Sequence, residues 1–354
     1  MANGILRHVN ISCIACAMPK NKMSKEDFME YYGPKLVNRF EKITGIKQCY
    51  WVHEKQTASD LCYVASQKIL EQENLNGKDI DVLIFLTQTP DYKTPSTAFI
   101  LQQRLGMDKE SVVFDINMGC TAVIHGIYVM AGLLQNMGSG RGLVLIGDAI
   151  PEREITEDHS NSMMFSDAGS AILMESGDGE VPYLLKSDGS GFQAIMNPRG
   201  ERFPVSADHV DWRTFQYYMD GQKVFNFAVE SVPEAISEFC TLFNRKLEEY
   251  DAFVFHQANQ FILRHIAEES GISQEKLPLS IQRYANTNGA SILVTLVDEL
   301  SKGKKEGTQK VMICGFGIGL SWGIMELNVK EIEILPMIFT DEYFKQGTDI
   351  QYLK

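Results

Sequence analysis

The chain has 354 residues, 44% of them hydrophobic, and a formal net charge of −13. That charge argues against nucleic acid or an anionic membrane as the main partner, since both need a basic face. The length and globular composition argue against disorder and suggest two domains, or two halves of one large unit.

The N-terminal stretch MANGILRHVNISCIACAMPK lacks a signal-peptide layout, because Arg7 and His8 interrupt its apolar run. No run reaches the roughly 18 apolar residues of a membrane span. A cytoplasmic location is expected. Cys13 and Cys16 form a lone CxxC, for which a plain N-terminal strand is the simpler reading. The seven cysteines are 13, 16, 49, 62, 120, 240 and 314, an odd number lying mostly in apolar segments. Buried reduced thiols show that pattern. No metal site and no cofactor is expected.

Strand-length apolar runs alternate with helical patterns, the signature of α/β architecture. Thr57 to Asp60 reads as a capping box opening a helix with Leu61, Val64, Ala65 and Ile69 on one face. Val82–Leu86, Val112–Ile116, Leu143–Ile146, Ala252–Phe255 and Val311–Cys314 read as short strands covered on both faces. Ala122 to Leu134 is apolar nearly all round and reads as a fully buried helix. Val224 to Leu247 reads as a long helix broken or bent near Pro233. The Gly-, Pro- and charge-rich stretch from Ser176 to Trp212 has the weakest periodicity. It is the expected join between two halves, residues 1–176 and 177–354.

Each half carries a strand that ends in a reactive-type residue and runs into a helix. In the first, VVFDINMGC, Gly119 permits a sharp strand-to-helix turn and places Cys120 at the positive end of a helix. Such a position favours the thiolate, the species that attacks a thioester carbonyl. A buried structural cysteine fits the local pattern as well. In the second, DAFVFHQAN sets His256 at a strand end, where α/β sites form. Thirty residues on, Asn286 enters another apolar helix and offers a neutral amide donor, or simply a cap. The case for His256 and Asn286 rests on their combination with Cys120. Near the C-terminus, CGFGIGLSWG follows the last strand. Its glycines allow close backbone approach, but its spacing is not a phosphate cradle.

Six segments stand in an order that resembles the ketoacyl-acyl-carrier-protein synthase III family of thiolase-like enzymes. They are GCTA at Cys120, FSDAGSAILM at 165–174, MDGQKVFNFA at 219–228, HQAN at 256–259, ANTNGAS at 285–291 and GFGIGLSWG at 315–323. The resemblance implies a five-layered αβαβα fold of two similar halves, working as a homodimer. It implies that Cys120 takes the acyl group from an acyl-CoA or acyl-carrier-protein thioester. His256 and Asn286 then assist decarboxylation of a malonyl-type thioester and stabilise the enolate, giving a 3-oxoacyl product. The backbone N–H groups of Cys120 and Ile318 form the implied oxyanion hole.

This sequence also departs from the family pattern. Phe261 stands where relatives carry a carrier-docking arginine, and Arg39 and Ile43 stand where relatives hold the coenzyme A nucleotide. Arg264, Lys223 and Lys276 are candidates for a different basic patch. Thr94 precedes Pro95 where many relatives have a bulky Phe over the acyl pocket, so a longer or bulkier acyl group is expected there; Phe316 is the other candidate for the pocket or its gate. Two other readings stay open. One is acyl transfer to a hydroxyl or amine, or condensation without decarboxylation; the other is a non-catalytic subunit of a heterodimeric synthase.

Overall fold

The computed structural model describes residues 2–150, 155, 159–197, 218–301 and 310–348. The first half opens with β1 (Ala2–Pro19), β2 (Lys22–Ser24), α1 (Lys25–Tyr32), α2 (Pro34–Thr44) and β3 (Gln48–Tyr50). It continues through α3 (Ala58–Gln72), β4 (Val82–Leu86), α4 (Thr97–Leu105), β5 (Val112–Ile116), α5 (Ala122–Met137) and β6 (Arg141–Asp148). α6 (His159–Met164) and β7 (Ala168–Ser187) follow, then the short β8 (Ile195–Met196) and β9 (Tyr218–Met219). The remainder comprises α7 (Gly221–Leu242), β10 (Ala252–Phe255), α8 (Gln260–Ser270), α9 (Ile281–Tyr284) and α10 (Ser291–Leu300). β11 (Lys310–Gly317), β12 (Ser321–Asn328), β13 (Glu333–Ile334) and β14 (Ile338–Thr340) end the chain's described elements.

Ten strands share one mixed sheet, ordered β10-β11-β12-β7-β6-β4-β5, with β1 along the other side of β7. β7 joins the two halves: Ala168–Glu175 pairs with β6, and Tyr183–Ser187 pairs with β12. The expected boundary at 176/177 therefore falls inside a continuous strand, and residues 198–212 of the expected join lie outside the described residues.

Strand alternation sorts the side chains into five layers. Val82, Ile84, Leu86, Val144 and Ile146 face one core with the inner faces of α5 and α10. Their neighbours Leu83, Phe85, Leu143 and Leu145 face α3 and α4. In the second half Val311, Ile313, Met325 and Leu327 join the same central core. Met312, Cys314, Phe316 and Ile324 pack outward on α7 and α8. The order is thus helix, sheet, central helices, sheet, helix, the αβαβα arrangement expected. The five strands read from the sequence are all strands, and the capping box opens α3 at Thr57, whose N–H donates to Asp60 at 2.9 Å.

Three local expectations change. β5 is the sheet edge and is only half-covered, with Val112 46% exposed. α5 is buried over its first two turns but exposes Tyr128 and Met137 further on. α7 passes through Pro233 and ends at Leu242, because Val232, Ala235, Ile236 and Phe239 anchor both sides of the proline to the sheet. That packing outweighs a local proline cost of about 3 kcal/mol. Among the described residues no helix is long and apolar enough to cross a membrane.

The segment after Asn328, unexplained by the sequence, folds back as β13 and β14 in parallel with β1. Its end is pinned to the first half. Arg104 sits 2.8 Å from Asp60 and lies between the rings of Tyr63 and Phe344, while the Phe344 N–H donates to the same carboxylate at 2.9 Å. Both members of this ion pair are almost wholly buried, so removing one leaves a charge without a partner. Asp60→Ala is expected to lower stability by about 3–5 kcal/mol in urea unfolding. A change below about 1 kcal/mol would show that the tail is not held by this pair.

Candidate active site

β5 delivers the nucleophile candidate. The Asp115 carboxylate accepts from the Thr97 and Ala98 N–H groups at 2.6 and 2.8 Å, tying the strand to the start of α4. The chain then turns at buried Gly119, whose carbonyl accepts from the Ala122 N–H at 2.8 Å as α5 begins. Cys120 therefore stands at the helix N-terminus, as expected. The expected ease of ionisation does not follow in the resting thiol. Burial pushes the Cys120 thiol up to about 11, against a downward pull from the backbone at Ile318, with a smaller upward push from the Asp148 carboxylate. Desolvation outweighs the helix end here. A neutral acyl-cysteine suffers no such penalty, so the same environment favours the loaded form.

The end of β11 closes against this turn. The GFG segment continues the strand, and only Ile318–Leu320 form the turn into β12. A β-carbon on Gly317 would lie 2.6 Å from the Cys120 Sγ, and Gly317 has φ +151°. A β-carbon on Gly315 would lie 3.0 Å from the Cys120 carbonyl. Thr121 donates to the Ser321 hydroxyl at 2.9 Å, and Ser321 donates to the Ile318 carbonyl at 2.7 Å. These two buried hydroxyls lock the Ile318 turn to the nucleophile's helix.

His256 ends β10. Its N–H donates to the Cys314 carbonyl at 2.8 Å, and its ring meets Phe316 edge-on at 5.6 Å. The ring is buried, and that burial lowers its pKa to about 4, with a backbone hydrogen bond to Asn288 opposing. Nδ1 lies 2.7 Å from the Ser291 hydroxyl, which also accepts from the Gln257 N–H at 3.3 Å. With Ser291 donating to Nδ1, the proton of the neutral ring sits on Nε2.

Asn286 follows Ala285, which adopts φ +53°, a conformation a β-carbon resists. Its backbone is fixed on both sides, donating to Met164 at 3.1 Å and accepting from Ser166 at 3.0 Å. Its Oδ1 accepts from the Asn288 N–H at 2.9 Å, so the side chain's other end presents the Nδ2 donors. The same turn runs close to Cys120: a β-carbon on Gly289 would lie 3.1 Å from the Gly119 carbonyl. Segments from three distant parts of the chain thus meet around the end of β11.

Of the remaining expected residues, Phe316 packs against His256 and the others are placed as follows. Arg39 is exposed on α2, and Phe261 and Arg264 are exposed on the adjoining α8. Phe261 stacks on Phe225. Lys223 lies 3.5 Å from Asp220 with its side chain exposed, and Lys276 donates to the Glu248 and Tyr250 carbonyls. Thr94 is exposed on the loop after β4, whereas Phe316 is 1% exposed behind His256. Ser291, Thr121, Ser321 and Asp148 escaped the sequence reading. Short polar residues in apolar segments carry no local signal of what they will touch.

Gly317→Ala is expected to keep the fold by circular dichroism and to cut iodoacetamide labelling of Cys120 by at least about tenfold. Labelling at the wild-type rate would show that the thiol tolerates the added methyl.

Comparison with known proteins gives the lineage. Family models for 3-oxoacyl-[acyl-carrier-protein] synthase III match residues 114–189 and, for its C-terminal part, 243–329. A Clostridium perfringens protein named beta-ketoacyl-[acyl-carrier-protein] synthase III is 32% identical over 314 residues, spanning 86% of this chain and 94% of that one. A Staphylococcus epidermidis protein of the same name is 32% identical over 91% of this chain and 99% of its own. The crystal structure of a 3-oxoacyl-(acyl-carrier protein) synthase from Burkholderia xenovorans superposes with a TM-score of 0.88 at 31% identity, covering 96% of this chain and 99% of that one. With near-complete relatives above 30% identity and the layered fold described, the chain belongs to the 3-oxoacyl-[acyl-carrier-protein] synthase III family.

Proposed function

We propose that the protein condenses an acyl thioester with a malonyl-type thioester through an acyl-cysteine at Cys120. The observation that carries this reading is the pairing of two neutral donors. His256 is kept uncharged by burial and Asn286 is turned so that its Nδ2 group is the donor. Neutral N–H donors stabilise an enolate oxygen while leaving no proton acidic enough to quench its carbon.

In the first half-reaction the Cys120 sulfur bonds to the acyl carbonyl carbon. The carrier thiol leaves, taking the proton that Cys120 gives up. A malonyl thioester then loses CO2, and the electron pair passes to its thioester oxygen, held by His256 Nε2–H and Asn286 Nδ2–H. The enolate carbon attacks the acyl-cysteine carbonyl, the Cys120 and Ile318 N–H groups hold the oxyanion, and collapse expels the sulfur as thiolate, which takes a proton from water to restore the Cys120 thiol. The 3-oxoacyl thioester departs. Cys120 comes from the half at 1–176, and His256 and Asn286 from the half at 177–354.

The working unit in this reading is a homodimer, in keeping with β5 being an end strand of the sheet among the described residues. The neighbouring exposed faces of α2 and α8, with Arg39, Phe261 and Arg264, are the surface assigned to the CoA or carrier end of the donor.

Incubation with acyl-CoA and acyl-carrier thioesters, read by intact mass, tests the first step. The expected adduct is absent in Cys120→Ala. Asn286→Ala is expected to load normally but to decarboxylate malonyl thioester about 100-fold or more slowly. An adduct that survives Cys120→Ala, or wild-type decarboxylation in Asn286→Ala, contradicts the mechanism.

A further inference from the structure

The segment after Asn328 touches more of the chain than β1. Gln56 Nε2 donates to its Thr340 and Glu342 carbonyls at 3.2 and 2.9 Å. The Tyr343 ring meets His53 edge-on, with ring centres 5.3 Å apart. Phe344 closes over Arg104 of α4, and its N–H donates to Asp60 of α3. Three residues on, the Gly347 carbonyl accepts from the Tyr92 hydroxyl at 2.5 Å. Residues 341–347 thus run as a strap from the α3 side of the molecule to the loop that follows β4.

That loop begins beside the nucleophile. A β-carbon on Gly119 would lie 2.5 Å from the Gln88 side chain, so the loop's root packs on the residue before Cys120. The root is firmly held: the Gln88 N–H donates to buried Asp148 at 2.7 Å, and the Thr89 hydroxyl accepts from the Ala149 N–H at 3.0 Å. Further on, the Asp91 N–H donates to the Thr97 hydroxyl at 3.0 Å, closing the base of a tip at 92–96. The Asp91 carboxylate also accepts from the Ser59 hydroxyl at 2.7 Å. Tyr92, Lys93, Thr94 and Pro95 in the tip are exposed. A tip with little buried surface opens at low cost unless something outside it holds it down. The strap supplies such a hold at Tyr92, two residues before Thr94, the candidate pocket residue.

We propose that the strap at 341–347 sets the acyl specificity of Cys120: by holding Tyr92 it keeps the Thr94 tip over the acyl subsite and limits the length of acyl chain that loads. Tyr92 is a positioning residue in this scheme, acting through the tip and touching no reacting atom. The inference rests on the condensing-enzyme reading.

The test is competition for Cys120 between equal concentrations of hexanoyl-CoA and dodecanoyl-CoA, with the two adducts resolved by intact mass. Tyr92→Phe removes only the hydroxyl that meets Gly347 and is expected to raise the dodecanoyl-to-hexanoyl ratio roughly threefold over the wild type. Phe344→Leu, which loosens the strap itself, is expected to raise it in the same direction. The iodoacetamide labelling rate of Cys120 is expected to stay at the wild-type value in both. A ratio that is unchanged or falls in both variants, or that moves only together with the labelling rate, overturns this inference alone. Absence of both adducts in the wild type while Cys120 still alkylates overturns the condensing-enzyme reading and this inference with it.

Discussion

Water is kept from groups that would otherwise carry charge, and the chemistry of the site follows from that exclusion. His256 is buried and Cys120 is half-buried, and both lie against the end of β11. Desolvation acts on the two in opposite senses, because it penalises whichever form is ionised. It lowers the imidazole and raises the thiol, so both rest neutral at ordinary pH. A thiolate near an imidazolium would be the alternative arrangement, and it suits hydrolysis better than carbanion chemistry. A neutral acyl-cysteine and a neutral imidazole suit an enolate, which survives only where no strong acid is present.

Close approach is the second requirement. Cys120 and the end of β11 come from opposite halves, and side chains on Gly315 or Gly317 would force them apart. The hydroxyls of Thr121 and Ser321 then fix the Ile318 turn at the distance the glycines permit. Ser291 does the same for His256 from the following central helix. The His256 ring and the Ile318 turn are thus each held by short polar side chains on neighbouring elements, the arrangement by which packing sets rotamers in rigid sites.

Much of this was legible in the sequence. The apolar runs at 82–86, 143–146 and 252–255 have no other stable use than covered strands, and Thr57 with Asp60 announces a helix start. Cys120, His256 and Asn286 could be singled out because each was expected to end a strand or open a helix, and because six segments stand in family order. What could not be read depends on contacts between distant residues. Burial of Cys120 exceeds what its helix N-terminus suggests, since desolvation is a property of the assembled layers. Pro233 reads as a break or a bend because local cost is visible and tertiary packing is not. The tail from Lys330 gives no periodic signal, yet Phe344 closes over Arg104 through contacts more than 200 residues away in sequence.

The protonation state of His256 is the most direct test of this account. Nitrogen-15 NMR of the histidine side chains, assigned with His256→Gln, gives both charge and tautomer across a pH range. The prediction is a neutral ring protonated on Nε2 at every pH well above about 4. A ring that titrates near the ordinary value of 6.5, or carries its proton on Nδ1, would contradict the neutral-donor mechanism.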